Sequence, residues 1–407
     1  MANPLTLTQR GVRLFNRAGP YLPLPRSLTG LDRAELMATA ERRSGGSDFG
    51  PWQISDALDR LVASYASAPL TTLGQVTVRE TLVSSLANLI SMARERDRLP
   101  AIVGETVTQP LFVIGLPRTG TTLLHGLLAQ DSTNRAPLSW EVMYPASYRD
   151  DAAAAQRARA KAAKRLAWAN RLAPAFKRIH PIDADLPQEC IAITAHVMRS
   201  IQFHTTHDVP AYQDWLEADS HADAYTFHRD FVQHLEYGAP GRRWVFKAPG
   251  HLFALPALLA AYPDAKVIQT HRNPLNVIAS VASHTTVLRR AFSDRVDPHS
   301  VGQDWATRWA RALYQFLNYR DQQPAEHFFD IDYDDIEQRP LATIAKIYDW
   351  LNWPLTNEAT QSMQAFLDAN PKNKHGVHRY DLATYGLQAD TQRQRFEPYC
   401  SRFGIPL

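Results

Sequence analysis

The densest chemistry in this chain lies at residues 110–126, PLFVIGLPRTGTTLLHG. Leu111, Phe112, Val113 and Ile114 are apolar and β-favouring, and Gly115-Leu116-Pro117-Arg118-Thr119-Gly120 has the composition of a turn. Thr121, Thr122 and the leucines after them begin a helix. Strand, glycine loop and helix start, in that order, aim unpaired backbone N–H groups and the positive end of a helix dipole at one point. Arg118 adds a guanidinium inside the loop, able to fork onto oxygens of a phosphate or sulfate without a metal. Arg118, Thr119, Gly120, Thr121 and Thr122 are therefore the expected contacts of an anionic nucleotide group.

The Gly115-x4-Gly120 spacing matches the triphosphate loop G-x-x-x-x-G-K-[ST], but Thr121 stands where the lysine belongs. That lysine reaches the β- and γ-phosphates, and the next hydroxyl helps hold magnesium. Its absence argues against Mg-ATP, and leaves a nucleotide kinase as the enzyme alternative and a non-catalytic nucleotide-binding protein as the other class. Two further segments carry chemistry. In KVIQTHRNPLNVIAS, residues 266–280, a strand ends at His271-Arg272, Asn273 caps a helix and Pro274 opens it. Arg272 is thereby aimed off a strand end beside a helix N-terminus, where an anion or a structural carboxylate can meet it. In FFDIDYDDIEQRP, residues 328–340, Tyr333 leaves a strand end, placed either to meet a base or to pack in the core.

The elements that must position these residues alternate. Helical spacing is read at 31–43, 52–68 and 77–98, and residues 1–109 form a helical region expected to pack on the rest of the chain. Strands are predicted at 111–115, 243–247, 266–270 and 327–331, with helices after 121 and near 222–237, 256–262, 274–284, 305–319 and 340–351. This rhythm predicts an α/β fold, a mainly parallel sheet flanked by helices with its ligand at the carboxyl ends of the strands. Residues 110–407 are read as that domain, with a helical insertion at about 148–240. Within it, residues 150–178 are alanine-rich and basic, which fits a solvated helix or an anion-attracting flap beside the nucleotide.

Composition narrows the class. The 407 residues are 45% hydrophobic and 21% charged, as in soluble globular proteins, and the net charge of +3 is too balanced to argue for nucleic acid. Two cysteines without a C-x-x-C pair exclude a disulfide framework and fit a reducing compartment. With neither a signal-peptide core nor a membrane-length apolar run, the expected location is cytoplasmic. His204 and His207 are spaced to share a helix face, but no third metal ligand is apparent.

Taken in order, the three blocks resemble the nucleotide-dependent sulfotransferases, whose donor is 3′-phosphoadenosine 5′-phosphosulfate (PAPS). PRTGTT at 117–122 is similar to the loop that grips the 5′-phosphosulfate. Arg272, with Ser280 eight residues on, resembles the pair that holds the 3′-phosphate, and YDDIEQRP at 333–340 resembles the segment whose tyrosine meets the adenine. Ser280 rests on the resemblance alone. A late basic, glycine-containing loop of the family folds over the 3′-phosphate, which implies Lys374, His375 and Gly376 here. The chain departs from the small-molecule cytosolic branch, which has lysine in the loop and a catalytic histidine in a K-T-H-type motif. Arginine in the loop and Lys247-Ala248-Pro249 are closer to the bacterial-type and protein-tyrosine branches, whose base is a glutamate some twenty residues after the loop.

The resemblance implies sulfuryl transfer to a hydroxyl, or an amine, of a small or lipid-like acceptor, with no metal required. Arg118, Lys247 and the loop N–H groups supply positive charge for the leaving phosphate. Three residues compete as the base that takes the acceptor's proton. Glu141 stands first, 23 residues after Arg118. His251, just past the K-x-P turn, has the better intrinsic pKa, and Glu189 opens a predicted helix. The acceptor pocket is expected from residues 1–109, 145–240 and 285–305. Sequence alone leaves its ligand and the oligomeric state open.

Overall fold

A computed structural model describes residues 7–22, 24–145, 151–172, 182–238, 241–371 and 381–407. Among these residues five strands form one parallel sheet: β1 (Leu111–Gly115), β2 (Asn134–Arg135), β3 (Arg243–Lys247), β4 (Lys266–His271) and β5 (Phe328–Asp332), in the order β2-β3-β1-β4-β5. The α/β expectation and its four strands are borne out, with β5 one residue later than predicted. β2 is not legible in the sequence, because two residues are too short to show alternation. Asn134 is buried there by donating to the Leu128 carbonyl and to Tyr348 Oη.

β1 is central, and every one of its residues is buried. That accounts for a near-continuous apolar run in place of an alternating one. Its side chains still divide by parity. Phe112 and Ile114 join a large core with Trp244, Phe246 and Val267, whereas Leu111 and Val113 join a second core with Val245, Ile268 and Ile331. Leu36, Leu58, Leu61, Leu82 and Leu86 belong to the first of these cores, so the N-terminal helices Arg33–Ser44, Ser55–Ser67 and Thr72–Arg98 share buried surface with the sheet. The last of them starts five residues before its predicted beginning, because Thr71 caps it by accepting from the Gly74 N–H at 3.1 Å.

The two helices that matter most leave the sheet on opposite faces. Thr121–Leu128, after β1, places Leu124 and Leu127 in the second core, and Pro274–Arg290, after β4, places Val277 and Ile278 in the first. Asn273 and Pro274 act as the sequence predicts, with Asn273 Oδ1 accepting from the Leu275 N–H at 2.9 Å. Adjacent strands whose connections diverge leave a crevice at their carboxyl ends, where ligands of open α/β sheets bind. Register puts Lys247 beside Val113 and Thr270 beside Gly115. Lys247, the glycine loop and Arg272 therefore reach the same edge.

Candidate active site

The crevice opens into a cavity of about 260 Å³. Its lining includes the loop residues Pro117–Leu123 except Thr119, with Arg272, Tyr333 and Glu337. The apolar side chains Ile191, Ile201, Val281, Trp305 and Trp309 line it as well, as does Glu189.

The loop's shape follows from three residues. A Cβ on Gly115 would collide with Thr270 Oγ1, so only glycine lets β1 and β4 close here. Thr119 is fully buried, donating to the Leu116 carbonyl at 2.7 Å and pairing with Thr270 Oγ1 at 2.6 Å. Its side chain is thus committed to holding the loop on β4, which leaves its backbone for the expected ligand contact. Gly120, at φ 86°, caps the helix. Thr121 and Thr122 then stand at the helix start against the cavity.

Arg272 bridges the crevice. Its Nη1 donates to the Arg118 carbonyl at 2.7 Å, and its guanidinium lies 3.8 Å from the centroid of the Tyr333 ring. Tyr333 in turn donates to Glu337 Oε1 at 2.7 Å. Burial, then that carboxylate, pushes the phenol up to about 12. Ser280 lies two turns into the helix that follows Arg272; its hydroxyl is buried and has no hydrogen-bond partner among the described residues. An orphaned buried hydroxyl is uncommon and fits an absent acceptor.

Lys247 is 2% exposed; its Nζ donates to Glu189 Oε1 at 2.5 Å and to Thr122 Oγ1 at 3.2 Å. The K-x-P lysine, the loop and Glu189 therefore meet. The other two base candidates do not join them. Glu141 accepts from the Leu138 N–H at 2.8 Å and from Arg135 Nη2 at 3.1 Å, and it does not line the cavity. It closes the first turn of Ser139–Met143, the helix-start role that carboxylates favour. His251 is sealed in the first core, with Nδ1 2.5 Å from Tyr225 Oη and its ring edge-on to Phe112. Burial, then nearby His228 and Lys247, holds it well below its ordinary value. Neither therefore stands on the cavity wall: Glu141 has the expected spacing from the loop, but Arg135 takes its carboxylate, and His251 points into the core. Glu141→Gln is expected to leave turnover within about twofold and to lower stability by roughly 1–3 kcal/mol through the weakened ion pair and cap. Paired turnover and urea-denaturation measurements check it.

Other expectations also shift. No described residue of 1–109 lines the cavity, whose apolar lining comes from within 145–240, from 285–305 and from their neighbours Val281 and Trp309. Trp305 and Trp309, spaced i, i+4 on Pro298–Arg320, carry no sequence signal that marks them as cavity residues; their rings stack at 5.5 Å and line it. The basic helix Ala152–Leu172 does not line it either. Lys374, His375 and Gly376 lie outside the described residues. His204 engages Asp304 and Arg289, whereas His207 pairs with Tyr65, so the two do not converge. Among the described residues, no group of three metal-ligating side chains forms.

A parallel sheet with a glycine loop, an arginine and an aromatic at its switch point defines a nucleotide-binding α/β protein whose anion site lacks the triphosphate lysine. Residues 110–357 match the model of the sulfotransferase family, and the chain belongs to that family. An omega-hydroxy-beta-dihydromenaquinone-9 sulfotransferase of Mycobacterium tuberculosis (strain CDC 1551 / Oshkosh) is 26% identical over 265 residues, 61% of this chain and 64% of that protein. The match thus spans less than two thirds of that relative. The crystal structure of sulfotransferase STF1 from Mycobacterium tuberculosis H37Rv is 30% identical with a TM-score of 0.79, covering 92% of this chain and all of that one. Sulfotransferase STF9 from Mycobacterium avium has a TM-score of 0.80 at 24% identity, over 93% and 98% of the two chains, and shows the shared fold.

Proposed function

We propose that the protein transfers a sulfuryl group from PAPS to a hydroxyl, or an amine, of a small or lipid-like acceptor, and that Glu189 is the base. The observation that carries this reading is the meeting of Lys247, Glu189 and Thr122 on the cavity that the loop and Arg272 also enclose. The phosphosulfate lies against the loop N–H groups and Arg118, the 3′-phosphate against Arg272 and Ser280, and the adenine against Tyr333. Adenosine 3′-phosphate chemistry fits a stacked arginine beside an orphaned hydroxyl better than it fits a triphosphate.

Glu189 takes the acceptor's proton as the acceptor oxygen bonds to sulfur. The bond from sulfur to the bridging phosphate oxygen breaks, and Lys247 with Arg118 balances the charge that grows on that oxygen. The ion pair with Lys247 sets the Glu189 carboxylate on the cavity wall, and the apolar lining excludes competing water. That lining, with its isoleucines and two tryptophans, supports a largely apolar acceptor. The similarity to a sulfotransferase named for a menaquinone derivative points the same way. Residues 110–407 form the transferase domain in this reading, with 1–109 as a packed helical region and 148–240 as an insertion carrying Glu189.

Arg272→Ala tests the donor assignment. Binding of adenosine 3′,5′-bisphosphate is expected to weaken roughly 10–100-fold, and binding of adenosine 5′-monophosphate far less, because a charge-assisted bond is lost only with the 3′-phosphate. Equal weakening of both would mean that Arg272 acts solely by holding the Arg118 carbonyl. Loss of turnover in EDTA, restored by magnesium, would favour the kinase alternative.

A further inference from the structure

Residues 1–30 and 152–172 hold ten of the chain's 44 Lys and Arg residues and none of its 41 Asp and Glu residues. The structure brings these two segments together: the helix Leu7–Ala18 packs on both Thr72–Arg98 and the basic helix Ala152–Leu172. On the first helix Val12 and Phe15 are half-buried, whereas Arg10, Arg13 and Arg17 recur at i, i+3 and i+7 on one exposed face. None of these three arginines has a carboxylate partner among the described residues. Beside them stands an unusual amount of apolar surface. Five of the seven exposed large hydrophobic residues described lie on these two segments: Leu14 (70% exposed), Tyr21 (89%), Leu22, Leu28 and Trp168 (48%).

Neither ingredient alone identifies a partner. Exposed leucines in isolation mark any contact surface, and arginines in isolation mark a solvated face. Together, with acidic residues excluded from both segments, they have the composition of an interfacial surface: cations for anionic headgroups, leucines for the acyl boundary, and Tyr and Trp for the layer between. We propose that this face docks on an anionic lipid bilayer, with Leu7–Ala18 lying in the headgroup plane and Ala152–Leu172 adding charge and Trp168. No helix among the described residues is long and apolar enough to cross a membrane, so the association is peripheral. The docked helix is also linked to the site, since Arg159 pairs with Asp185 at 2.6 Å, four residues before Glu189. The proposal does not depend on what the acceptor is.

Co-sedimentation of the full chain with vesicles tests it without recourse to activity. Binding is expected to phosphatidylcholine vesicles containing phosphatidylglycerol, not to pure phosphatidylcholine, and to fall as salt rises. The combined substitution Arg10→Gln, Arg13→Gln and Arg17→Gln is expected to weaken it roughly 10–100-fold. Leu14→Asp with Trp168→Asp should weaken it at least as much, while Val103→Asp, an exposed apolar residue outside both segments, leaves it unchanged. Failure of the unsubstituted protein to bind anionic vesicles at low salt, equal binding to both vesicle types, or full binding by the triple variant would each overturn the proposal. So would a self-associated form in sedimentation velocity that Trp168→Asp abolishes, because a second copy would then own the surface. The lipid and salt dependence of the unsubstituted chain decides the matter even if a variant fails to fold.

Discussion

Glu189→Gln is expected to lower turnover roughly 10²–10⁴-fold, the usual worth of a positioned general base, while adenosine 3′,5′-bisphosphate binds nearly as before. Glutamine keeps the size of the side chain and can still accept from Lys247 Nζ, which sits 2.5 Å from the carboxylate. What it removes is the ability to take a proton. The same change leaves a buried cation without its counter-charge, so a stability loss of a few kcal/mol accompanies it, partly offset when the anionic donor is bound. The two effects separate cleanly: thermal denaturation with saturating bisphosphate reports the second, and single-turnover chemistry at the same saturation reports the first. Near-normal turnover by Glu189→Gln would sink the assignment. A dead Glu141→Gln enzyme with unchanged stability would return the role to Glu141.

Mild acid is expected to destabilise the fold steeply, well before carboxylates titrate. Burial holds His125, His207 and His228 down to about 3, and His196 and His221 down to about 4; His251 is held well below its ordinary value by the same cause. The unfolded chain protonates these rings near pH 6.5, whereas the folded chain keeps them neutral. Their contribution is complete above about pH 6.5 and is lost progressively as pH falls toward the folded values near 3 to 4. Each ring that stays neutral costs on the order of 1 kcal/mol between about pH 7.5 and 5.5, so the six together cost several kcal/mol. Natural domains hold only about 5–15 kcal/mol in total. Urea midpoints measured across that range should therefore fall sharply, with the protein largely unfolded near the acid end. A flat profile would mean that the buried rings find protons or water in the folded state.

The parts of this protein legible in its sequence are those that local physics decides. Leu111–Gly115 reads as a strand because it is apolar throughout, and Asn273-Pro274 reads as a helix start because a cap and a fixed φ act on immediate neighbours. Arg272 could be aimed from sequence for the same reason. The partners of carboxylates could not. Glu141 and Glu189 both precede or open short helices, and nothing in their own segments tells that Arg135 claims one and Lys247 the other. His251 likewise sits just past a strand end near the cleft, and only the packing of Phe112 and Tyr225 shows that its ring turns inward. Trp305 and Trp309 line a cavity on one side and a core on the other, a distinction that helical periodicity does not contain.

Arg118 lies in the left-handed region at φ 69°, and its carbonyl accepts from Arg272. Left-handed backbone costs an ordinary residue about 1–2 kcal/mol and is worst for β-branched ones. The permitted alphabet at this position is therefore narrower than its role as a cation implies: valine, isoleucine and threonine are excluded by their own backbone, whatever they touch. Alanine here deletes the guanidinium and keeps the strain, while glycine deletes the guanidinium and releases it, so the difference between those two variants measures the conformation alone. Lysine keeps both strain and charge. Charge and chain direction are thus specified by a single codon, and a related loop without arginine has to be judged on whether its backbone still turns left there.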